Sequence, residues 1–203
     1  MQPKIVILYY SMFGNTFLMS KAVVEGIEQA GGKAILRTVP ELISQNVIDK
    51  DERIKKAKKL QKEVPVVRTE ELEKIDGIIL GSPTRFGNMC AQMRNFLDQT
   101  GQLWMKGALI DKPAGVFCCT ATLHGGQETT LISMMFTLIH HGAMIVGVPY
   151  GVKELRETQR GGTPYGPTAV VGDLGDQPPT EMDLNIAREL GKRVTGIAKE
   201  LLK

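Results

Sequence analysis

The segment from Ser11 to Thr16, which reads S-M-F-G-N-T, carries residue types well suited to binding chemistry. It follows an apolar, β-prone run from Ile5 to Tyr10 and opens a stretch with helical periodicity. A helix that begins at such a turn presents unpaired N–H groups and the positive end of its dipole. Hydroxyl and amide side chains add donors, and Gly14 permits a close backbone approach or a positive φ. The pattern predicts a phosphate-binding loop.

The class of phosphate loop follows from the motifs that the chain lacks. There is no G-x-x-x-x-G-K-[ST], which excludes the nucleoside-triphosphatase P-loop, and no G-x-G-x-x-G after the first strand, which excludes the dinucleotide fingerprint. The turn itself holds no lysine or arginine. A hydroxyl-lined loop without a charged clamp suits a ligand that ends in a single phosphate, such as FMN. An ordinary capped helix after a strand is the alternative, because Ser and Thr are common at such caps.

A second candidate loop, G-S-P-T-R-F-G-N, runs from Gly81 to Asn88. The side chains of Thr84 and Asn88 can bond the polar rim of a heterocycle, and Phe86 can pack on a flat ring. Arg85 can stabilise an anionic ring nitrogen or bind a second, charged ligand. The alternative is a Pro-Gly turn with a solvent-facing arginine.

A third candidate loop, C-T-A-T-L-H-G-G-Q-E, runs from Cys119 to Glu128. Its two threonines and the Gly125–Gly126 pair make a loop that can wrap a ring and offer N–H donors. His124 receives no role from the local sequence, since a lone histidine in a loop is more often solvated.

The elements that must position these loops are visible as continuous apolar runs. Unbroken apolar strands are buried on both faces, which indicates a parallel sheet covered by helices. Helical segments alternate with the runs, and the alternation predicts a doubly wound α/β sheet of five strands in the flavodoxin-like order 2-1-3-4-5. The predicted strands are Ile5–Tyr9, Ala34–Val39, Gly77–Gly81, Ala114–Cys119 and Ala143–Val148. The predicted helices are Phe17–Gln29, Met89–Gln99, Glu128–His140 and Glu181–Leu202, with a short one at Glu70–Lys74.

In this strand order a ligand binds beyond the carboxyl ends of the strands, at the switch point between strands 1 and 3. The three loops follow strands 1, 3 and 4, so we expect them to converge there on a planar ligand that bears a phosphate. Two stretches lie outside the minimal sheet, the polar segment Glu41–Val67 and the irregular segment Gly151–Gln177. We expect a single domain, residues 1–203, with insertions at these places.

Composition narrows the class of protein. The apolar fraction of 42% and charged fraction of 23% are typical of a globular domain, and a net charge of +3 gives no argument for nucleic acid or an anionic membrane. No apolar run reaches the ~18–20 residues of a membrane span, and the N-terminal M-Q-P-K is not that of a signal peptide. Cys90, Cys118 and Cys119 predict reduced, buried thiols in a cytoplasmic protein, with no metal site.

Six motifs spread over almost the whole chain carry a family resemblance. They are Y-Y-S-M-F-G-N-T (9–16), G-S-P-T-R-F-G-N-M (81–89), F-L-D-Q-T-G-Q-L-W (96–104), H-G-G-Q-E-T-T (124–130), H-H-G-A-M-I-V (140–146) and R-G-G-T-P-Y-G (160–166). Together they resemble the WrbA-type NAD(P)H:quinone oxidoreductases, which are FMN enzymes of the flavodoxin-like superfamily.

The resemblance implies a set of site residues. The FMN contacts would be Ser11, Met12, Phe13, Gly14, Asn15 and Thr16 at the phosphate, and Pro83, Thr84, Arg85, Phe86, Gly87, Asn88, Cys119, Thr120, Ala121, Thr122, Leu123, His124, Gly125 and His140 around the ring. Arg85 and His140 would be catalytic, with His140 a proton donor to the quinol oxygen. Trp104 and Phe13 would contact the substrates, although many relatives have tyrosine at the position of Phe13. One of His140 and His141 faces the core, and the sequence leaves open which.

The implied activity is two-electron reduction of quinones to quinols by NADH or NADPH, with ping-pong hydride transfer through flavin N5. The relatives form tetramers, so we expect a homotetramer in which Trp104 and Gly151–Gln177 are candidate contacts. The alternative is a flavodoxin-type one-electron carrier that docks to redox partners, which the net charge of +3 and the long insertions disfavour. A non-enzymatic interaction module is a third interpretation, for which the sequence offers no DNA-reading motif.

Overall fold

The apolar runs form one sheet in the computed structural model, which describes residues 1–203. The strands are β1 (Lys4–Tyr9), β2 (Lys33–Thr38), β3 (Gly77–Arg85), β4 (Asn88–Met89), β5 (Pro113–Thr120), β6 (Met144–Ile145) and β7 (Thr168–Val170). The helices are α1 (Asn15–Gln29), α2 (Gln45–Lys50), α3 (Glu52–Gln61), α4 (Ala91–Asp98), α5 (Gly101–Met105), α6 (Gln127–His140), α7 (Glu154–Glu157) and α8 (Glu181–Leu201), with a 3₁₀ helix at Thr69–Lys74. No helix is long and apolar enough to cross a bilayer.

The main path of the sheet runs β2-β1-β3-β5-β6 and is parallel. This confirms the predicted doubly wound fold and its 2-1-3-4-5 order, once the short β4 is set aside. Alternate residues of β1 point to opposite faces. Ile5 and Ile7 pack in one apolar cluster with residues of α1 and α8. Val6 and Leu8 pack in a second with residues of α4 and α6. Helices therefore cover both faces, as the unbroken apolar runs predict.

The predicted count of five strands is wrong, because the edge strand is split into β6 and β7 and because β4 pairs with β3. Only Met144–Ile145 of the predicted Ala143–Val148 pairs with the start of β5, at Pro113 and Ala114. The end of β5 pairs instead with β7, which lies inside the segment predicted to be irregular. A strand of three residues between a proline and a valine–glycine pair has too few positions to show a period, so local pattern could not reveal it.

The predicted loop Gly81–Asn88 is also partly a strand. β3 continues to Arg85 and turns back into β4 as a tight hairpin, with Thr84 opposite Met89 and Arg85 opposite Asn88. The two turn residues, Phe86 and Gly87, both have positive φ, at 52° and 75°. A two-residue hairpin turn of this kind needs positive φ at both positions, and the right-handed twist of the strands selects it.

Helices α1 and α8 pack closely because each has a glycine at the contact. A Cβ on Gly191 would lie 2.4 Å from the carbonyl oxygen of Val23, and one on Gly26 would lie 2.0 Å from that of Arg188. By contrast, a Cβ on Gly196, also in α8, would meet nothing within 4 Å.

We predict opposite effects of the same substitution at two positions of α8. Gly191→Ala forces the helices apart and should lower the free energy of unfolding by about 1–3 kcal/mol. Gly196→Ala places a methyl group in open space and should raise it by about 0.5–1 kcal/mol through helix propensity. Urea denaturation followed by circular dichroism measures both. Equal shifts in the two variants would contradict the proposed close packing.

Candidate functional site

Strand register brings the three predicted loops to one edge of the sheet. Tyr9 at the end of β1 is paired with Gly81 in β3, and Pro83 in β3 is paired with Cys119 in β5. The segments that follow therefore surround a cleft of about 140 Å³, open to solvent. Several of the site residues predicted from the sequence line this cleft. They are Ser11, Met12, Phe13, Asn15, Thr16, Pro83, Thr84, Arg85, Cys119, Thr120 and Ala121.

A fourth segment, which the sequence analysis missed, completes the cleft after β7. It contributes Val171, Gly172, Asp173 and Gly175. The side chain of Asn15 donates to the carbonyl oxygen of Gly175 at 2.7 Å, so this amide group ties the fourth segment to the first loop. The glycines and aspartates of this segment indicate a turn. No strand is recognisable before them in the sequence, so the sequence does not indicate that the turn lies at this edge of the sheet.

The first loop has the geometry of an anion site. Gly14 precedes α1 with φ of 95°, and no side chain caps the helix. The helix start is therefore not the ordinary Ser/Thr cap that was the alternative interpretation. The main-chain N–H groups of Met12, Phe13, Asn15 and Thr16 have no acceptor within the chain, while that of Gly14 donates to Ser11 Oγ at 3.1 Å. Ser11 and Thr16 are buried. Several donors therefore remain free where the dipole of α1 is positive.

Thr84 joins the second loop to the third. Its hydroxyl accepts from the Thr130 hydroxyl at 2.8 Å and donates to the carbonyl oxygen of Gly125 at 3.4 Å. Arg85 is exposed and donates to the carbonyl oxygen of Thr84 at 2.8 Å, and its other terminal nitrogen lies 3.5 Å from the sulfur of Met12. The guanidinium thus lies beside the first loop, at the rim of the cleft.

The remaining predicted ring contacts do not line the cleft in this structure. Phe86 is fully exposed at the tip of the hairpin, with Gly87 and Asn88 beside it. In the third loop, Thr120 lines the cleft, but its hydroxyl donates to the carbonyl oxygen of Thr122 at 2.8 Å. The further residues of that loop, Thr122, Leu123, His124 and Gly125, lie beyond the lining residues.

Cys119 forms an electrically neutral part of the cleft wall. Its side chain is buried at the end of β5. Burial raises the pKa of this thiol to about 12, so it stays protonated at neutral pH. The group can pack against a ring, but it offers no thiolate for nucleophilic or redox chemistry.

His140 and Trp104 lie in a different cleft of the same chain. This second cleft is lined by Arg94, Leu97, Asp98, Thr100, Gly101, Trp104, Phe136, Thr137, His140 and His141, and shares no residue with the first. His140 ends α6 and is exposed. One chain therefore does not bring these two predicted residues together with the first loop.

His141, not His140, is the buried member of the pair. The Thr100 hydroxyl donates to the carbonyl oxygen of Leu97 at 2.6 Å, so it must accept from His141 Nε2, which lies 2.9 Å away. This assigns the proton to Nε2 and leaves Nδ1 buried without a partner. Burial, reinforced by neighbouring His140, lowers the pKa of His141.

Two solved structures share this fold over nearly the whole chain. The WrbA-like flavodoxin protein from Agrobacterium tumefaciens superposes with a TM-score of 0.67 at 24% identity, covering 98% of this chain and 99% of that protein. A flavodoxin from the domain Archaea superposes with a TM-score of 0.62 at 19% identity, covering 97% and 99%. The fold is that of a flavodoxin-like α/β protein, as the sequence predicts.

Sequence relatives narrow this class to a family. The NAD(P)H dehydrogenase (quinone) of Solidesulfovibrio magneticus is 49% identical over 201 residues, which are 97% of this chain and 98% of that protein. The protein of the same name from Geotalea daltonii is 46% identical over 202 residues, 98% of each. Residues 3–154 match the family described as NADPH-dependent FMN reductase. The chain belongs to this family, which confirms the predicted enzyme class and FMN as cofactor.

We predict that His141 makes the folded protein sensitive to acid. Its pKa is lower in the folded state than the ordinary value of 6.5, so below about pH 6.5 the unfolded chain binds a proton that the folded chain does not. The free energy of unfolding should therefore fall as the pH falls from 7 to 5. His141→Gln keeps a donor for Thr100 and should show a shallower pH dependence in urea denaturation. The exposed His124→Gln is the control, and identical slopes for all proteins would contradict the prediction.

Proposed function

We propose that this protein is an FMN-dependent NAD(P)H:quinone oxidoreductase that reduces quinones to quinols by two electrons. The observation that carries the proposal is the first loop, whose free N–H groups and buried hydroxyls open into the same cleft as the residues of two further loops. Full-length relatives named NAD(P)H dehydrogenase (quinone) support it. When bound, FMN supplies the redox chemistry, taking a hydride from NAD(P)H and delivering it to the quinone.

The residues present fit this cofactor. The N–H groups of Met12, Phe13, Asn15 and Thr16 provide donors for a phosphate without any charged residue in the loop. The wall made by Pro83, Cys119, Thr120 and Ala121 is neutral and largely apolar, which suits a planar ring.

Two features of the chain act during turnover: the positive charge of Arg85 and the opening of the cleft to solvent. The exposed guanidinium beside Met12 carries a positive charge that stabilises negative charge on the reduced ring. The cleft is open to solvent, so the nicotinamide and the quinone can use one face in turn, which predicts ping-pong kinetics. Phe13, at the tip of the first loop, is the proposed contact for the nucleotide.

His140 and Trp104 require a second copy of the chain if they serve this chemistry. The surface around them exposes large apolar side chains, including Trp104 (57% exposed), Met105 (71%), Phe136 (63%) and Ile139 (55%). Trp104 and Phe136 line the same cleft as His140, and clustered exposed apolar side chains typically mark an interface. This clustering supports the homotetramer implied by the resemblance, with His140 of one copy donating a proton at the site of another. The unpaired cysteines support a reducing, cytoplasmic environment.

Reconstitution with FMN tests the proposed reaction. The protein should bind FMN and catalyse NAD(P)H-dependent reduction of benzoquinone with parallel lines in double-reciprocal plots. Arg85→Gln should lower turnover about tenfold, because it removes one charge that stabilises the reduced ring. The exposed Arg68→Gln should leave turnover unchanged. Failure to bind FMN would contradict the proposal, and a strongly stabilised one-electron state in a redox titration would favour the carrier.

Mixing two variants of reduced activity tests whether sites form between copies. Arg85→Gln removes a group from a chain's own cleft, and His140→Ala removes one that should act on a partner. Chains unfolded and refolded together at equal ratio should regain about one quarter of wild-type activity by random pairing. Refolding either variant alone is the control. No recovery would contradict the action of His140 across an interface, as would elution of the wild-type protein as a monomer.

A further inference from the structure

Helix α3, from the polar insertion after β2, packs behind the first loop. A Cβ on Gly14 would lie 3.7 Å from the Cβ of Ala57, which places α3 in contact with the loop. Lys58 is the next residue of α3, and its Nζ donates to the carbonyl oxygen of Ser11 at 3.3 Å. Gln61 Nε2 donates to the same oxygen at 3.4 Å and is buried. Two side chains of α3 therefore converge on a single carbonyl group of the phosphate loop.

The ammonium group of Lys58 is held in place by two other groups. It lies 2.5 Å from a carboxylate oxygen of Glu41 and 4.5 Å from the centre of the Tyr10 ring. The Tyr10 hydroxyl donates to Glu41 at 3.0 Å, which closes the cluster. Tyr10 directly precedes Ser11, so the cluster also fixes the point at which the chain leaves β1. Lys58 is thus ordered by contacts on several sides rather than free in solvent.

The hydrogen bonds to the Ser11 carbonyl also determine the direction in which the Met12 N–H points. In a trans peptide unit the C=O and N–H bonds point in opposite directions. Because the Ser11 carbonyl is drawn toward α3, the N–H of Met12 in the same unit points away from α3. Met12 lines the cleft, and its N–H has no acceptor in the chain. Two donors on the carbonyl oxygen also polarise the unit, which makes that N–H a stronger donor.

We infer that Lys58 and Gln61 are positioning residues for the cofactor phosphate. They hold the peptide between Ser11 and Met12 so that its N–H faces the phosphate. Lys58 also contributes positive charge behind a loop that contains none, partly offset by Glu41. The inference rests on the proposed assignment of this loop to the FMN phosphate, and it gives the first insertion a role in cofactor binding.

Comparison of FMN with riboflavin, which lacks the phosphate, tests the inference. Dissociation constants for both flavins can be measured by quenching of flavin fluorescence. Lys58→Met and Gln61→Met should each weaken FMN binding about 3–10-fold, the equivalent of one hydrogen bond, and leave riboflavin binding unchanged. Lys59→Met, on the exposed side of the same helix, should change neither. Lys58→Arg keeps the charge and a donor, and should restore most of the FMN affinity.

The possible outcomes separate this inference from the proposed function. Equal loss of both flavins in Lys58→Met and Gln61→Met would mean that α3 is only a structural wall, which overturns the inference alone. A loss confined to Lys58→Met would mean that charge acts without orientation, which also overturns it. A wild-type protein that binds neither flavin would overturn the proposed function and, with it, this inference. Thermal unfolding of each variant without flavin identifies any that fail to fold, and Gln61→Met, which changes no charge, then carries the test.

Discussion

Parallel pairing of β3 with β1 and with β5 determines where every functional segment of this molecule lies. The pairs Tyr9–Gly81 and Pro83–Cys119 bring the carboxyl ends of the strands to one level. Each strand is buried on both faces, so a slip of the register would disturb two apolar clusters at once. The loops that follow these strand ends therefore lie close together. Parts of all three loops line one cleft, namely residues 11–13, 83–85 and 119–121.

The two insertions depend on that edge and complete it from opposite sides. Arg53, in α3, lies 5.1 Å from the centre of the Phe13 ring and donates to the carbonyl oxygen of Leu174 at 3.1 Å. Residues about 120 positions apart in the chain thus meet above the tip of the phosphate loop. Asn15 adds a second tie, to Gly175. The insertions are therefore part of the site's framework, and the cation–π contact protects one face of Phe13 from solvent.

The second cleft contains two of the predicted site residues, His140 and Trp104, away from the first cleft. His141 is buried and hydrogen-bonded, whereas His140 and Trp104 are exposed on an apolar surface. A chain that exposes so many large apolar side chains together gains by covering them. The proposed assembly would cover them and would also bring His140 to a partner's cleft. One surface would then serve both stability and catalysis.

Local pattern in the sequence was sufficient for much of the fold and for the turn that precedes α1. The alternation of apolar runs and helical segments depends on the side-chain periods of strand and helix, which act over a few residues. The strand-turn-helix pattern around Gly14 is local in the same sense, because the free N–H groups belong to the helix that starts there. These features are correctly predicted for that reason.

Tertiary structure decided the features that depend on pairing between distant residues. β7 exists because the end of β5 offers an unpaired edge, and its three residues carry no period of their own. The contact of Lys58 and Gln61 with Ser11 joins residues about 50 apart, and the charges of α3 alone suggest only a solvated helix face. The separation of His140 from the phosphate loop depends on where α6 ends relative to the sheet. Sequence periodicity determines which elements form, whereas long-range packing determines which side chains they bring together.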